Sequence, residues 1–585
     1  MAHAAAPLEP PPLPPLPPLP PVAEAEPLAW SALDRDRELD RARVQDFGLV
    51  ILGGGITGAG VAREAALRGI PFLLADREDF ASGTSSRSSK LVHGGLRYLA
   101  QGEFRLVREA ATERNWLRQA LPNLVRPLGF HYCAYAGGPD RPAKVRASIR
   151  LYDGLGDTLC PFKNLPHRFL SPAELAAREP AVATQGLLLA GLYYDAQVDD
   201  ARLVLEVLKE ARDASGGLSV ALNYLRAVAI HTGPGRSPAV ELEDVLGGQR
   251  FTVRCGCVVN ATGVWTDATL RLAGIGARMI RPTLGVHLVV PNARVGNREA
   301  FVLRAPEDGR TCFVLRRGEV SILGTTDTDF AGDLDRPRCG PRDRDYLLAM
   351  ANRAFPGARL GPEDVLATTA GLRPLVGSLD GSASALSRRH VLLDAGHGLV
   401  SIAGGKLTTF RIMAWEALER CARLGYLRPL RGAEARRHFS RRPFRNGLDW
   451  ADWQRMASAR GLDRLVPEAT ARHLHQQYGR QSLRILAQVR RCPEAGEPLL
   501  AGHPFCAAEI EHILAFENAP RLVDLMLRRT EMQLLVDHRR QPELAGRVAR
   551  IMACFCHWGP ERQQAELDGY LERVRDTVVD EPMRR

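Results

Sequence analysis

Phe47-Gly-Leu-Val-Ile-Leu52 is a short apolar run of the buried-strand type, and it stops at Gly53-Gly54-Gly55-Ile56-Thr57-Gly58. Behind it, Ala59 to Leu67 is rich in helix formers and closes at Gly69. A second apolar run, Pro71-Phe-Leu-Leu-Ala75, leads into Asp76. Strand, glycine turn, helix and strand within about 30 residues make a βαβ unit. Gly53 permits the tight turn, Gly55 lets backbone approach a pyrophosphate, and Gly58 lets helix and strand close up. The helix N-terminus turns free N–H groups and a positive dipole toward the phosphates. Asp76, at the end of the second strand, is placed to accept from an adenosine ribose. The unit predicts a dinucleotide site.

Three further segments bear on which dinucleotide. Thr84, Ser85, Ser86, Ser88 and Ser89 offer small hydroxyl donors directly after the acidic residue, and Lys90 closes that stretch. A flavin nucleotide, buried along its length, can use them against its second phosphate and ribityl chain. Asn260-Ala-Thr-Gly263 ends a strand in small residues that let backbone pass close to a ligand. Gly404-Gly405-Lys406-Leu407-Thr408-Thr409 follows the apolar run Leu399–Ala403 and opens a helical stretch, which can deliver N–H groups to the electron-rich end of a flavin ring.

Elsewhere the chain alternates. Asp200 is expected to cap a helix with Leu203, Val204, Val207, Leu208 and Ala211 on one face. Residues 251–260, 301–304, 311–316 and 319–323 read as strands, the last three antiparallel. The fold class expected is α/β, a parallel nucleotide-binding sheet joined to an antiparallel sheet domain, with an all-α domain from about 450. Residues 1–45 read as a proline-rich disordered tail, with eleven of the forty prolines in residues 1–27. Residues 431–449 read as a basic linker carrying Arg431, Arg436, Arg437, Arg441, Arg442 and Arg445. The eleven cysteines include no CxxC pair, which argues against zinc-ribbon and most iron–sulfur frameworks and leaves no metal expected. No run of 18 apolar residues is present, so no membrane span is expected. The formal net charge of +11 favours anionic partners in general. The basic run lacks interleaved aromatics apart from Phe439 and Phe444, which argues against nucleic acid.

Thr84-Ser-Ser-Arg-Ser-Ser-Lys-Leu-Val-His-Gly-Gly-Leu-Arg-Tyr-Leu99 closely resembles the flavin-proximal signature of the FAD-dependent glycerol-3-phosphate dehydrogenases of aerobic, respiratory type. Phe104–Glu109, Val198–Val204, Val259–Gly263, Leu323–Asp327, Gly371–Leu375 and Gly404–Thr409 agree in order. The resemblance is strong over about 46–430 and looser through the helical C-terminus. It implies a Rossmann-like FAD-binding domain interleaved with an antiparallel substrate domain, as in D-amino-acid oxidase. FAD parts are expected at about 46–125, 185–275 and 370–430, and substrate parts at 126–184 and 276–369. To the cofactor residues already read it adds Leu91 and Gly94.

The resemblance further implies oxidation of sn-glycerol 3-phosphate to dihydroxyacetone phosphate. Quinone is the implied acceptor, and the implied location is cytoplasmic, with a peripheral place on the inner membrane; a homodimer is compatible with it. By motif position Arg97 and Tyr98 line the substrate pocket, while Arg373, Arg388 and Lys406 form its cationic wall. A phosphate dianion in a partly dry pocket does need several fixed cations. The base that takes the C2 hydroxyl proton is left open among His93, His287 and Lys406; Arg373 and Lys406 are counted with the catalytic group. Two segments depart from the family pattern. Leu284-Gly285-Val286-His287 stands where a Lys-Gly-Ser-His stretch is common, and Arg316-Arg317 stands where a Pro-Trp pair is common. The first loses a cation, and the second is expected to add two. Alternative readings are a same-fold FAD oxidase of another hydroxy acid or amine, which needs one carboxylate-binding arginine, and a catalytically silent flavin-binding interaction protein.

Overall fold

A computed structural model of the chain describes residues 29–157, 162–305, 308–377, 389–428 and 443–579. The Phe47–Leu52 and Phe72–Ala75 strands lie side by side in parallel, Ile51 opposite Leu74, and on its other edge Ile51 faces Val259. Both are buried nearly throughout, as expected of strands covered on both faces. The sheet runs His390–Gly396, Leu399–Gly404, Arg250–Asn260, Phe47–Leu52, Phe72–Ala75, Val220–Leu222. Only the outer His390–Gly396 strand in that row is antiparallel to its neighbour, and a hairpin of Leu225–Gly233 and Arg236–Asp244 extends the N-terminal half of Arg250–Asn260. The helices Ile56–Leu67, Asp200–Ala214 and Phe410–Arg423 bury their apolar sides against one face.

The second sheet has ten strands, with Ile280–Pro291 between Val320–Gly324 and Ala367–Val376 and Arg126–Tyr135 between Ala300–Arg304 and Leu187–Gln197. It is antiparallel except where Ala300–Arg304 runs parallel to Arg126–Tyr135. The expected partition is corrected here. Leu187–Gln197 and Ala367–Val376, counted largely with the cofactor parts, belong to this second sheet, as does the short Leu91–Val92 strand. The chain crosses between the sheets more often than hydropathy alone reveals, because a strand's apolar pattern does not say which sheet receives it.

From Trp450–Ala459 to Pro560–Arg575 the regular structure of the described chain is helical apart from a single bridge between Pro498 and Cys506, and it encloses its own core around Trp453, Tyr478, Ile510 and Met552. Buried ions bind this unit to the rest. Asp79 accepts from Arg528 Nε at 2.6 Å and from Arg529 Nη1 and Nη2 at 2.7 and 2.8 Å. Arg202 pairs with Glu517. Arg317 donates to Glu531 at 2.5 Å and to the Val198 carbonyl at 3.2 Å.

Three more expectations change. The tail was taken to run to residue 45, yet Trp30 is buried against Phe80, and Arg35–Val44 is a helix whose Leu39 and Ala42 pack under the first sheet. Asp199, not Asp200, caps the Asp200–Ala214 helix, its carboxylate accepting from Arg202 N at 3.2 Å. Arg316 and Arg317 line neither cavity described below: Arg316 reaches the Gly318 carbonyl, and Arg317 is consumed by Glu531. Residues 1–28, Arg388 and the five arginines of the basic stretch between 431 and 442 lie outside the described residues.

Candidate active site

A cavity of about 340 Å³ opens at the C-terminal ends of the parallel strands, the place where open α/β sheets bind ligands. Of the residues singled out from sequence, Gly53, Gly55, Asp76, Thr84, Ser85, Gly263, Gly404, Gly405 and Lys406 line it. Gly53 turns with φ +104°, and a Cβ there would stand 2.6 Å from the Ala261 carbonyl oxygen. Gly58 does not line the cavity; a Cβ on it would lie 1.8 Å from Gly53 O, so its absence lets the helix close on the turn. A Cβ on Gly55 would fill the cradle 3.1 Å from Ser85 Oγ. Ser85 Oγ in turn accepts from Ile56 N at 3.0 Å, fastening the hydroxyl loop to the helix N-terminus.

Asp76 has a second task besides facing the cavity. Its carboxylate accepts from Gly54 N at 2.6 Å and Glu78 N at 2.9 Å, and so braces the glycine turn. Burial pushes its pKa up to about 6 against the pull of those two N–H groups.

A second cavity of about 490 Å³ lies over the second sheet, and Leu91, His93, Arg97 and Tyr98 line it together with Asp327. The two cavities meet at Lys406, whose ammonium sits 3.7 Å from the centre of the Tyr98 ring. Arg97 donates to Tyr98 Oη at 2.9 Å with its guanidinium 4.9 Å from the same ring. Gly95, at φ +81°, leaves the room: a Cβ there would meet the Tyr98 ring at 2.4 Å. Thr408 Oγ1 accepts from His93 N at 3.2 Å and donates to His93 O at 3.3 Å, holding the His93 backbone beside Lys406.

Arg373 lines neither cavity but reaches their border. It donates to Asp327 Oδ1 at 3.0 Å, Thr325 Oγ1 at 2.9 Å and the Thr326 carbonyl at 3.0 Å. His287 is buried and lines neither cavity. It shares a 2.8 Å hydrogen bond with Ser89, which is thereby taken up in bracing the ring. Burial, then the Arg373 and Lys90 charges, press the His287 pKa down to about 3.

Lys90, expected on the cofactor, turns instead to Asp200 Oδ1 at 2.6 Å; burial lowers its pKa, but the Asp200, Asp199 and Glu531 carboxylates outweigh that and raise it. Ser86 and Gly94 lie off the first cavity, Gly94 giving its N–H to Asp195. Sequence reasoning missed Lys144, Arg304 and Arg310, all on the second cavity. Arg304 is shared with Asp140 at 2.7 Å, and Arg310 donates to the Asp327 carbonyl. No motif carries these three. An arginine beginning or ending a strand reads the same whether it meets solvent or a pocket.

The model of the family described as FAD dependent oxidoreductase matches residues 49–411, and that of the C-terminal domain of alpha-glycerophosphate oxidase matches 428–563. The glycerol-3-phosphate dehydrogenase of Synechocystis sp. is 33% identical over 564 residues, 91% of this chain and 97% of its own. Glycerol-3-phosphate dehydrogenase 2 of Mycobacterium tuberculosis is 35% identical over 544 residues, 92% of this chain and 90% of its own. The X-ray structure of the Bacillus halodurans glycerol-3-phosphate dehydrogenase complexed with FAD superposes with a TM-score of 0.75 at 28% identity, covering 95% of this chain and 99% of that one. Among the described residues no helix is long and apolar enough to cross a membrane.

Proposed function

The chain belongs to the FAD-dependent oxidoreductase family, and from that membership we propose that it oxidises sn-glycerol 3-phosphate to dihydroxyacetone phosphate. The observation that carries the substrate is the gathering of cations where the cavities meet: Lys406 and Arg97 on the Tyr98 ring, with Lys144, Arg304 and Arg310 on the second cavity. A hydroxy acid or amine needs one carboxylate-binding arginine, whereas a phosphate dianion with two or three exposed oxygens uses several donors at once.

FAD fits the first cavity, whose glycine turn, hydroxyl loop and Gly404–Gly405 backbone would hold it, and when bound it supplies the two-electron acceptor for the C2 hydride. The protein's own residues do the rest. Arg97, Arg304 and Arg310 bind the phosphate, while Arg373, held by Asp327, borders the same end of the pocket. Lys406 steadies negative charge on the substrate oxygen. His93 takes the C2 hydroxyl proton, since His287 is shut away from both cavities. The apolar walls from Phe130 and Phe313 keep the reacting end short of water.

The electrons then leave for a quinone, a reading that rests on resemblance to the respiratory members of the family. Anaerobic mixing of the yellow protein with sn-glycerol 3-phosphate tests the substrate. Rapid bleaching is expected. Arg373→Ala should lower kcat/KM by about 30- to 150-fold, the equivalent of roughly 2–3 kcal/mol for a charged hydrogen-bonding group, with FAD content unchanged. Flavin that stays oxidised with this substrate overturns the reading. Turnover with a soluble quinone analogue, set against oxygen uptake, tests the acceptor.

A further inference from the structure

On the face of the second sheet that turns away from the second cavity, His131, Glu179 and Glu299 bring one imidazole nitrogen and two carboxylate oxygens within 4.8 Å of one another. Phe130 and Tyr132, the neighbours of His131 on the Arg126–Tyr135 strand, line the second cavity, so alternation aims His131 the other way, against the Phe301 ring at 5.0 Å. Its side chain is 0% exposed.

His131 Nε2 stands 2.8 Å from Glu299 Oε2, within hydrogen-bond reach, whereas its Nδ1 has no hydrogen-bond partner. Glu179 Oε1 is 3.8 Å from Nε2. His131 and Glu179 are both fully buried, and leaving a buried nitrogen such as His131 Nδ1 unpaired costs about 1–3 kcal/mol.

The arrangement is built. Glu179, just past the Pro172–Arg178 helix, accepts from Glu299 N at 2.8 Å and Arg298 N at 2.9 Å, so its carboxylate is fixed before any ligand arrives. Gly129, two residues before His131 on the same face, makes room for the other carboxylate: a Cβ there would stand 2.9 Å from Glu299 Cδ. Glu299 is 24% exposed, which gives a path from solvent. Arg178, 3.7 Å from Glu299, offsets only one of the two negative charges.

We propose that His131, Glu179 and Glu299 form a binding site for a divalent first-row transition ion, of which zinc is the type. One imidazole and two carboxylates are ligands such an ion accepts at about 2.0–2.2 Å, with a fourth position left for water on the exposed side. The ion ties the Arg126–Tyr135 strand, the end of the Pro172–Arg178 helix and the start of Ala300–Arg304 together behind the second cavity. Its role is structural, because none of its ligands lines either cavity. The competing account is a protonated His131 bridging the two carboxylates without metal.

The test uses FAD-loaded enzyme freed of metal with a chelator and titrated calorimetrically with Zn²⁺. One equivalent is expected to bind. Glu299→Gln, which keeps an acceptor for His131, should bind it more than about 100-fold more weakly, beyond the loss usual for an outer-shell partner. Co²⁺ in the wild-type protein gives a second measurement that needs no variant. It should show the visible bands of nitrogen and oxygen ligands without a near-ultraviolet thiolate band, since Cys492 and Cys554 are exposed and could capture metal instead. Absence of stoichiometric Zn²⁺ uptake, equal affinity in Glu299→Gln, or a thiolate band overturns the proposal.

Discussion

Arg373 lies over Gly285: a Cβ on that glycine would stand 2.4 Å from Arg373 Nη2 and 2.7 Å from its Cζ. In register Arg373 faces Thr283, and Gly285 faces Gly371. The guanidinium therefore leans two residues along the neighbouring strand to reach Asp327 and Thr325. The segment where this chain departs from its family's pattern keeps the one residue that lets the arginine cross.

Gly285→Ala should accordingly displace Arg373 while leaving the fold intact, because the clashing atoms end a flexible side chain. The expected result is a rise of roughly tenfold or more in KM for sn-glycerol 3-phosphate, about 1.4 kcal/mol, with flavin content and unfolding midpoint near wild type. A KM unchanged within twofold would separate Arg373 from substrate binding.

Gly58→Ala is a different kind of glycine change. Its Cβ would meet the Gly53 carbonyl oxygen at 1.8 Å, and backbone cannot swing aside as a guanidinium can. Overpacking of about 3 kcal/mol or more is expected, and the purified variant should carry little FAD. Full flavin occupancy would show that the helix and turn can separate without loss of the site.

His287 supplies a pH signature. Its folded pKa, about 3, lies below the ordinary value of 6.5, so the unfolded chain binds the extra proton between those limits. The stability that neutral His287 contributes is complete above pH 6.5 and is lost as pH falls toward 3. Relative to His287→Asn, the wild type should lose about 1.4 kcal/mol per pH unit between pH 6 and 4, read from urea unfolding. Parallel pH profiles for the two proteins would place the ring in solvent.

Asp79 links the domains. Its carboxyl is held at about 2, because Arg529 and then Arg528 outweigh the upward push of burial. Asp79→Asn takes the paired carboxylate from buried Arg529 and one of two from Arg528, which keeps Asp524 at 2.8 Å, and should cost about 3–5 kcal/mol. Limited proteolysis should then cut the helical C-terminal part first. An unfolding midpoint within a degree of wild type would mean that Asp524 and the Glu517 carbonyl suffice for those arginines.

The glycine turn was legible because strand, turn, helix and acidic residue follow one another within about 30 residues, although the contacts that Gly53 makes with Ala261 and Gly55 with Ser85 reach well beyond the turn. The hydroxyl loop was only partly legible: Ser85 lines the first cavity, whereas Ser89 spends its hydroxyl on His287 and Lys90 its charge on Asp200. The two serines look alike in sequence, and nothing there says which partner the lysine takes. His93, His287 and Lys406 were all candidates for the base; in the structure His93 lines the second cavity, Lys406 the first and His287 neither. Lys144, Arg304 and Arg310 sit outside every recognisable motif, and only the packing of the Pro142–Asp157 helix and the Ala300–Arg304 and Thr311–Arg317 strands brings them to the second cavity.

By itself, then, the order of residues determined the βαβ unit, the dinucleotide turn and the helical C-terminal part, since hydrophobic period and glycine placement act within a turn or a strand. Tertiary structure alone decided which sheet receives Leu187–Gln197 and Ala367–Val376, and that Arg317 pairs with Glu531 and not with a substrate. It also decided where each buried charge finds its partner. The reason is energetic: a buried ion needs an opposite charge close by, and residues hundreds of positions apart, such as Arg202 and Glu517, meet only after the chain has folded.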